Sequence, residues 1–357
     1  MNCLTRRQDN PLYVILPYFN YCGFKSRRRL FIECIRQLEK TQGIRIVISE
    51  ALGPAPLPRM CLNGEHFRFN IKDKIWIKES LINMVVPKLP ADWLNIAWID
   101  ADITFLNTKW VEDTVKQLKT NEVVQLFQSV INLGPKGECL KMDKGFGYMY
   151  KESGTPYVTN DKYGFWHPGY AWACSRWAWE KMGGLVDWAI LGSADRHMAM
   201  AWIKRSKDSY PGNINKKYKM FLDVFESRCK NFRLSYTPGT IIHHWHGSLT
   251  NRRYRERWEI LTSHNFDPTE DLDTDTNGMT CLSTKGQRLA KDILEYFVER
   301  KEDESCVQEA RPKTQESSCP NSSKTQKKLS VAPSSAKIAN WPTPVKRTAQ
   351  STTGKLT

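Results

Sequence analysis

The sequence predicts an α/β fold: a mostly parallel, Rossmann-like central sheet flanked by helices and followed by a disordered C-terminal tail. Three observations carry this. Leu12 to Leu16 (LYVIL) is a continuous apolar run stopped by Pro17, the pattern of a strand buried on both faces rather than an alternating surface strand. A helical repeat and a second buried run, Ile44 to Ser49 (IRIVIS), follow it, making a β-α-β unit with parallel strands and a right-handed crossover. After about Glu304 the chain is rich in Ser, Lys, Pro and Thr, and too poor in apolar residues to offset the entropy of ordering.

The elements follow in order. The first helix is read from Leu30, Phe31, Cys34, Ile35 and Leu38 at helical spacing, with Ser26 as its cap and Gly43 beyond its end. Phe67 to Asn70 is a short third strand, and Ile75 to Val86 an amphipathic helix closed by Pro87 and Pro90. Asn95 to Ile99 (NIAWI) is the next buried strand, running directly into Asp100. Asn107 to Lys119 reads as a helix and Val123 to Ile131 as one strand. Pro135 to Tyr163 has no apolar periodicity and reads as a substrate-covering loop. Ser193 to Lys204 is helical, and Phe232 to Trp245 holds one or two terminal strands.

Composition narrows the function classes. With 357 residues, 40% of them hydrophobic, the chain can bury a full enzyme core. No window approaches the ~20 uncharged apolar residues of a membrane span, so no transmembrane anchor or signal peptide is expected. The ten cysteines are scattered singly without a C-x-x-C pair, which points to reduced thiols and a cytoplasmic setting. A formal net charge of +15 suits a nucleic-acid partner, but about half of the excess lies beyond Ser305, so no stable nucleic-acid partner is expected of the folded part.

Asp100-Ala101-Asp102 places two carboxylates at i and i+2 where a buried strand ends, and ligands of open α/β sheets bind at such carboxyl ends. A hard cation held there would in turn bind a diphosphate. His243-His244-Trp245-His246-Gly247 carries three of the seven histidines on an extended lead-in, where His244 and His246 share a face. One imidazole with carboxylates and phosphate oxygens suits Mn2+ or Mg2+ better than a closed zinc site. Ser193 caps a helix with Asp195 in its first turn, where the helix dipole favours the ionised form and leaves it able to accept a proton. Trp166, Tyr170, Trp172, Trp177, Trp179 and Trp188 crowd one window, as core or as a sugar-stacking platform. Asn251 to Arg257 (NRRYRER) is dense in guanidinium, suited to phosphate or to solvent.

In this order the motifs resemble the GT-A glycosyltransferase superfamily over roughly residues 10 to 265. Trp76-Ile77-Lys78 with Asn83 is similar to a helix pattern of β-1,4-galactosyltransferase-like enzymes, and His243 to Trp258 with HNFDPTED behind it is similar to the ends of bacterial and viral cytosolic transferases. The resemblance implies a metal-dependent transferase moving a sugar from a nucleotide-sugar donor, a UDP-sugar first among them, to a hydroxyl of a glycan or glycoconjugate acceptor. It implies donor contacts from Pro17, Tyr18, Asn20, Glu50, Lys78 and Asp100, and acceptor contacts from Trp172, Gly183, Gly184 and Asp187. The metal ligands implied are Asp100, Asp102, His246 and His244, and the base is Asp195. Ala194 departs from the galactosyltransferase pattern, which has an acidic residue there. The expected organisation is an N-terminal arm (1–10), one GT-A domain (11–302) and a basic tail (303–357). The alternatives are a nucleotidyltransferase or sugar-nucleotide pyrophosphorylase, and a nucleic-acid-binding protein using the basic segments.

Overall fold

The first apolar run forms strand β1 (Leu12–Tyr18), in which Leu12, Val14, Ile15 and Leu16 are fully buried. Ile15 packs on one face of the sheet with Ile96 and Trp98, and Val14 and Leu16 pack on the other with Phe31, Ile35 and Ile48. A strand covered on both faces belongs at a sheet's centre, and each such side chain contributes about 1.5–3 kcal/mol on burial. The computed structural model describes residues 10–58, 64–152 and 166–304, all within one unit of the chain. The tail expected to be disordered from 303 onward lies outside these residues except for Asp303 and Glu304, of which Asp303 is placed against the first helix, and nearly all of the N-terminal arm lies outside them too.

Helix α1 (Lys25–Leu38) and strand β2 (Ile44–Ala51) complete the β-α-β unit, with β2 parallel to β1. Ser26 does not cap α1. It lies inside the helix, and the amides of Lys25 and Ser26 donate to the carboxylate of Asp303 at 2.8 and 2.7 Å. Strand β3 (Gly64–Phe69), helix α2 (Lys78–Val85) and strand β4 (Asn95–Ile99) follow, then a short strand β5 (Ile103–Phe105) and helix α3 (Trp110–Leu118).

The run from Val123 to Ile131 is two strands, β6 (Val123–Gln125) and β7 (Ser129–Leu133), in different sheets. Between them the backbone amide of Leu126 bonds Ala171 and that of Gln128 bonds Gly239, so the chain crosses from one sheet to the other without losing its apolar character. The segment Pro135 to Tyr163, expected as a substrate-covering loop, contains regular structure instead. Cys139–Lys144 is β8, antiparallel to β7, and Phe146–Glu152 is α4; residues 153–163 lie outside the described residues. The chain continues through β9 (Ala171–Ser175), α5 (Arg176–Met182), α6 (Ala194–Trp202), α7 (Lys216–Cys229), β10 (Leu234–Tyr236) and β11 (Thr240–His243). Helices α8 (Trp258–Ser263) and α9 (Pro268–Asp271), the hairpin of β12 (Leu272–Thr274) and β13 (Thr280–Leu282), and α10 (Ala290–Glu299) end the described chain.

The central sheet has the order β10-β6-β9-β4-β1-β2-β3 and is parallel except for β9, which is antiparallel to β4 and β6. A second sheet, β5-β11-β7-β8, stands beside its carboxyl edge. Because β4 belongs to the first sheet and β5 to the second, the Asp100 to Asp102 turn lies where the two meet. Among the described residues no helix is long and apolar enough to cross a membrane.

Candidate active site

Pairing between the sheets sets the position of Asp102. Ile103 of β5 lies opposite His243 of β11, and the ladder extends one step to the His244 amide, which donates to the Asp102 carbonyl at 2.8 Å. The Oδ2 of Asp102 is 2.8 Å from Nε2 of His246 and 3.8 Å from Nε2 of His243. The ligand atoms of Asp102, His243 and His246 all lie within 4.8 Å of one another. The other carboxylate oxygen, Oδ1, is buried without a hydrogen-bond partner among the described residues. A buried carboxylate oxygen left open beside two imidazoles is the environment a divalent cation satisfies. Burial opposes the charge on Asp102, but His246 and His243 hold its carboxyl well below the usual range. Burial also pushes the His243 imidazole down to about 3, so at neutral pH it is uncharged, as a ligand must be.

His244 is not part of this cluster. Its Nε2 bonds Thr104 Oγ1 at 2.8 Å. The expectation of a shared face for His244 and His246 assumed a strand running through both, whereas β11 ends at His243. Beyond it the chain turns, and His246 comes back onto His243, with their Nε2 atoms 3.3 Å apart. Asp100 also stands outside the cluster, because its Oδ1 meets Lys78 Nζ at 2.6 Å.

Lys78, only 4% exposed, lies between Asp100 and Asp195, whose Oδ2 is 3.1 Å from Nζ. Burial would discharge the lysine, but the two carboxylates raise its pKa well above the ordinary value. Desolvation pushes Asp100 up to about 6 against the opposing pull of Lys78, with the charges of Asp195 and Asp102 adding to the rise. Next to Lys78, burial lifts the Glu79 carboxyl from 4.5 to about 8 while its oxygen accepts a bond from Trp76 Nε1 at 3.2 Å. A carboxyl that keeps its proton when folded but releases it when unfolded makes stability fall as pH rises from the unfolded to the folded pKa. Glu79→Gln is therefore expected to match wild type near pH 5 and to gain on it up to about pH 8. Paired thermal melts across that range check this, and a pH-independent difference would contradict it.

Two cavities meet along this floor. The larger, about 300 Å³, is lined by Asp195, Tyr170 and His167 together with residues of the β7-β8 hairpin. The smaller, about 100 Å³, is lined by Pro17, Tyr18, Arg27 and Lys78. Asp100, Asp102, His246, Arg252 and Arg300 line both.

Other expected contacts are placed elsewhere. The Asn20 side chain is spent inside its own turn, bonding the Phe24 carbonyl and amide at 2.9 Å each. The Glu50 carboxylate is fully buried and taken by the Leu57 amide, His66 and Arg68. Trp172 has no exposure, packs on Trp202 and donates to the Pro168 carbonyl, so it cannot stack on an acceptor. Gly183 caps α5 at φ +78°, where an added Cβ would meet Arg228, and Gly184 backs onto Asn83. Asp187 accepts from Asn83 Nδ2 at 3.0 Å. Neither cavity is lined by Asn20, Glu50, Trp172, Gly183, Gly184 or Asp187.

Sequence reasoning singled out the motif that holds His243 but paired His246 with His244 rather than with His243, and it missed the closing segment after α10. Glu302, almost unexposed, bonds Arg27 at 2.6 Å and Arg300 at 2.7 Å, and lies 3.6 Å from His246 Nδ1. The Arg-rich run was singled out, and two of its members face inward: Arg252 lies on His246, and Arg257 bonds Ser193 and Tyr296.

No protein-family model and no curated protein sequence matches the chain. Among solved structures it is similar to the catalytic domain of Drosophila β1,4-galactosyltransferase 7 in complex with xylobiose, at 12% identity over 78% of this chain and 97% of that one, with a TM-score of 0.36. A variant of that Drosophila enzyme in complex with manganese, UDP-Gal and xylobiose gives 13% identity over 76% and 93%, with a TM-score of 0.35. A mannosyltransferase from Pyrobaculum calidifontis in complex with GDP-Man and Mn2+ gives 13% identity over 71% and 61%, with a TM-score of 0.38. At these values the likeness carries no assignment of activity, which has to come from the site.

Proposed function

We propose that the chain is a divalent-metal-dependent glycosyltransferase of the GT-A type, moving a sugar from a nucleoside-diphosphate donor to an acceptor hydroxyl with inversion. The observation that supports it most is Asp102, with one oxygen turned to two imidazoles and the other left open, at the carboxyl edge of the sheet and lining the same cavity as Asp195. Asp102, His243 and His246 would hold the cation, Mn2+ or Mg2+. When bound, it supplies positive charge to offset that of the leaving diphosphate.

The chain's own groups divide the remaining work. Arg27, Lys78, Arg252 and Arg300 give the smaller cavity a cationic wall for the donor diphosphate. In the larger cavity Asp195, steadied by Lys78, takes the proton of the acceptor hydroxyl as it attacks the anomeric carbon opposite the leaving group. Nucleotidyl transfer is disfavoured, because the α1 amides that could cradle a phosphate are occupied by Asp303. A nucleic-acid role for the Arg-rich run is disfavoured by the inward facing of Arg252 and Arg257.

The test is donor hydrolysis without acceptor, using UDP-, GDP- and dTDP-sugars with and without Mn2+. Slow, Mn2+-dependent release of a nucleoside diphosphate is expected, from a UDP-sugar first. If no donor is hydrolysed and Mn2+ does not bind, the reading fails.

A further inference from the structure

Building on the transferase reading, we propose that the larger cavity recognises an anionic substituent of the acceptor, a phosphate or a carboxylate, through the guanidinium of Arg257. Arg257 lines that cavity and is only 6% exposed, yet among the described residues no carboxylate lies within 4.0 Å of it. Its bonds go to neutral groups, one nitrogen to Ser193 Oγ and the other to the Tyr296 hydroxyl at 3.2 Å. The face of Tyr254 lies 5.0 Å away. Buried charges in proteins are ordinarily paired, since desolvating a lone guanidinium is costly, and a binding site is where such a cost is offset by the ligand.

The surroundings deepen the imbalance. The Tyr296 hydroxyl also accepts from Arg300 at 3.1 Å, so one phenol oxygen steadies two guanidinium groups. Arg300 has Glu302 as counter-ion, but Glu302 is shared with Arg27. Among the described residues the cluster of Arg27, Arg252, Arg257 and Arg300 is in direct contact with one glutamate, Glu302, while Asp102 offsets part of the charge of Arg27 and Arg252, and a donor diphosphate in the smaller cavity would face Arg27, Arg252 and Arg300. Arg257 does not line that cavity. It is tied to Ser193, two residues before Asp195, so its charge is presented where the acceptor hydroxyl must come. A planar fork beside the base suits a carboxylate or a phosphate two-pronged.

The test is calorimetric binding to the full chain with metal chelated, using a neutral methyl hexoside, the matching methyl hexosiduronate and the matching 6-phosphate. Wild type is expected to bind one anionic probe about 10- to 100-fold more tightly than the neutral one. Arg257→Gln removes the difference, and Arg257→Lys, which keeps the charge but not the fork, restores part of it. Should Arg257→Gln fail to fold, the Lys variant and the wild-type comparison still decide. Equal binding of all three probes by wild type overturns the proposal, as does a preference that survives in Arg257→Gln. Matched UDP-hexose and UDP-hexuronate titrations form a second arm: a preference that Arg257→Gln changes there and not among the acceptor probes assigns the anion to the donor sugar and overturns the acceptor assignment. Absence of Mn2+-dependent donor hydrolysis alongside intact anion binding would instead count against the transferase reading alone.

Discussion

Asp102→Asn lowers metal-dependent donor turnover by about 10³-fold, equivalent to several kcal/mol of lost charge stabilisation, and leaves the metal-free protein folded. The amide keeps the volume of the carboxylate but not its charge, and Asp102 is the only carboxylate of the Asp102, His243, His246 cluster. Two imidazoles alone make a weak site for a hard cation. Mn2+ affinity should therefore fall by more than the 10- to 100-fold typical of losing a group behind a ligand. In the metal-free protein the change removes the attraction between Asp102 and His246, whose side chains are 21% and 5% exposed, so a lower melting temperature accompanies the loss of metal. Electron paramagnetic resonance of Mn2+ and melts in chelator separate the two effects. Turnover within tenfold of wild type, with Mn2+ still bound, would sink the metal assignment.

What was legible in the chain was whatever local pattern decides. LYVIL, IRIVIS and NIAWI read as buried parallel strands because their neighbours on both faces are apolar, and the D-x-D pair at the end of NIAWI stands at the sheet's carboxyl edge for the same reason. The histidine parity failed because it depended on where β11 stops, which is set by pairing with β5 more than a hundred residues earlier. Trp172 and the Gly183-Gly184 turn misled because aromatic crowding and positive-φ glycines serve a core and a helix end as readily as a sugar site. The segment from Arg300 to Asp303 was invisible. Its partners, Lys25 to Arg27, are about 275 residues away, and a capping carboxylate from such a distance leaves no mark on the helix it caps.

Asp195→Asn separates a catalytic carboxylate from one that merely suits its helix. An aspartate in a first helical turn contributes about 0.3–1 kcal/mol through the dipole, so a structural role predicts a small change in melting and almost none in rate. A proton acceptor predicts the reverse, a fall of about 10²- to 10⁴-fold in acceptor-dependent kcat with Mn2+ affinity unchanged. The asparagine oxygen can still accept from Lys78, and Lys78 keeps Asp100 at 2.6 Å as its counter-ion, so the buried ammonium is not left unpaired. The position favours the catalytic outcome. Asp195 lines the larger cavity, is steadied through Lys78 against the same Asp100 that follows β4, and sits two residues after Ser193, which lies in the left-handed region at φ +78° and accepts a bond from Arg257. A non-glycine residue costs about 1–3 kcal/mol in such a conformation, which is retained where geometry at a site requires it. Single-turnover transfer, which isolates the chemical step from product release, is the decisive measurement: a loss under tenfold would return Asp195 to the helix and leave the proton acceptor to be sought elsewhere in the cavity.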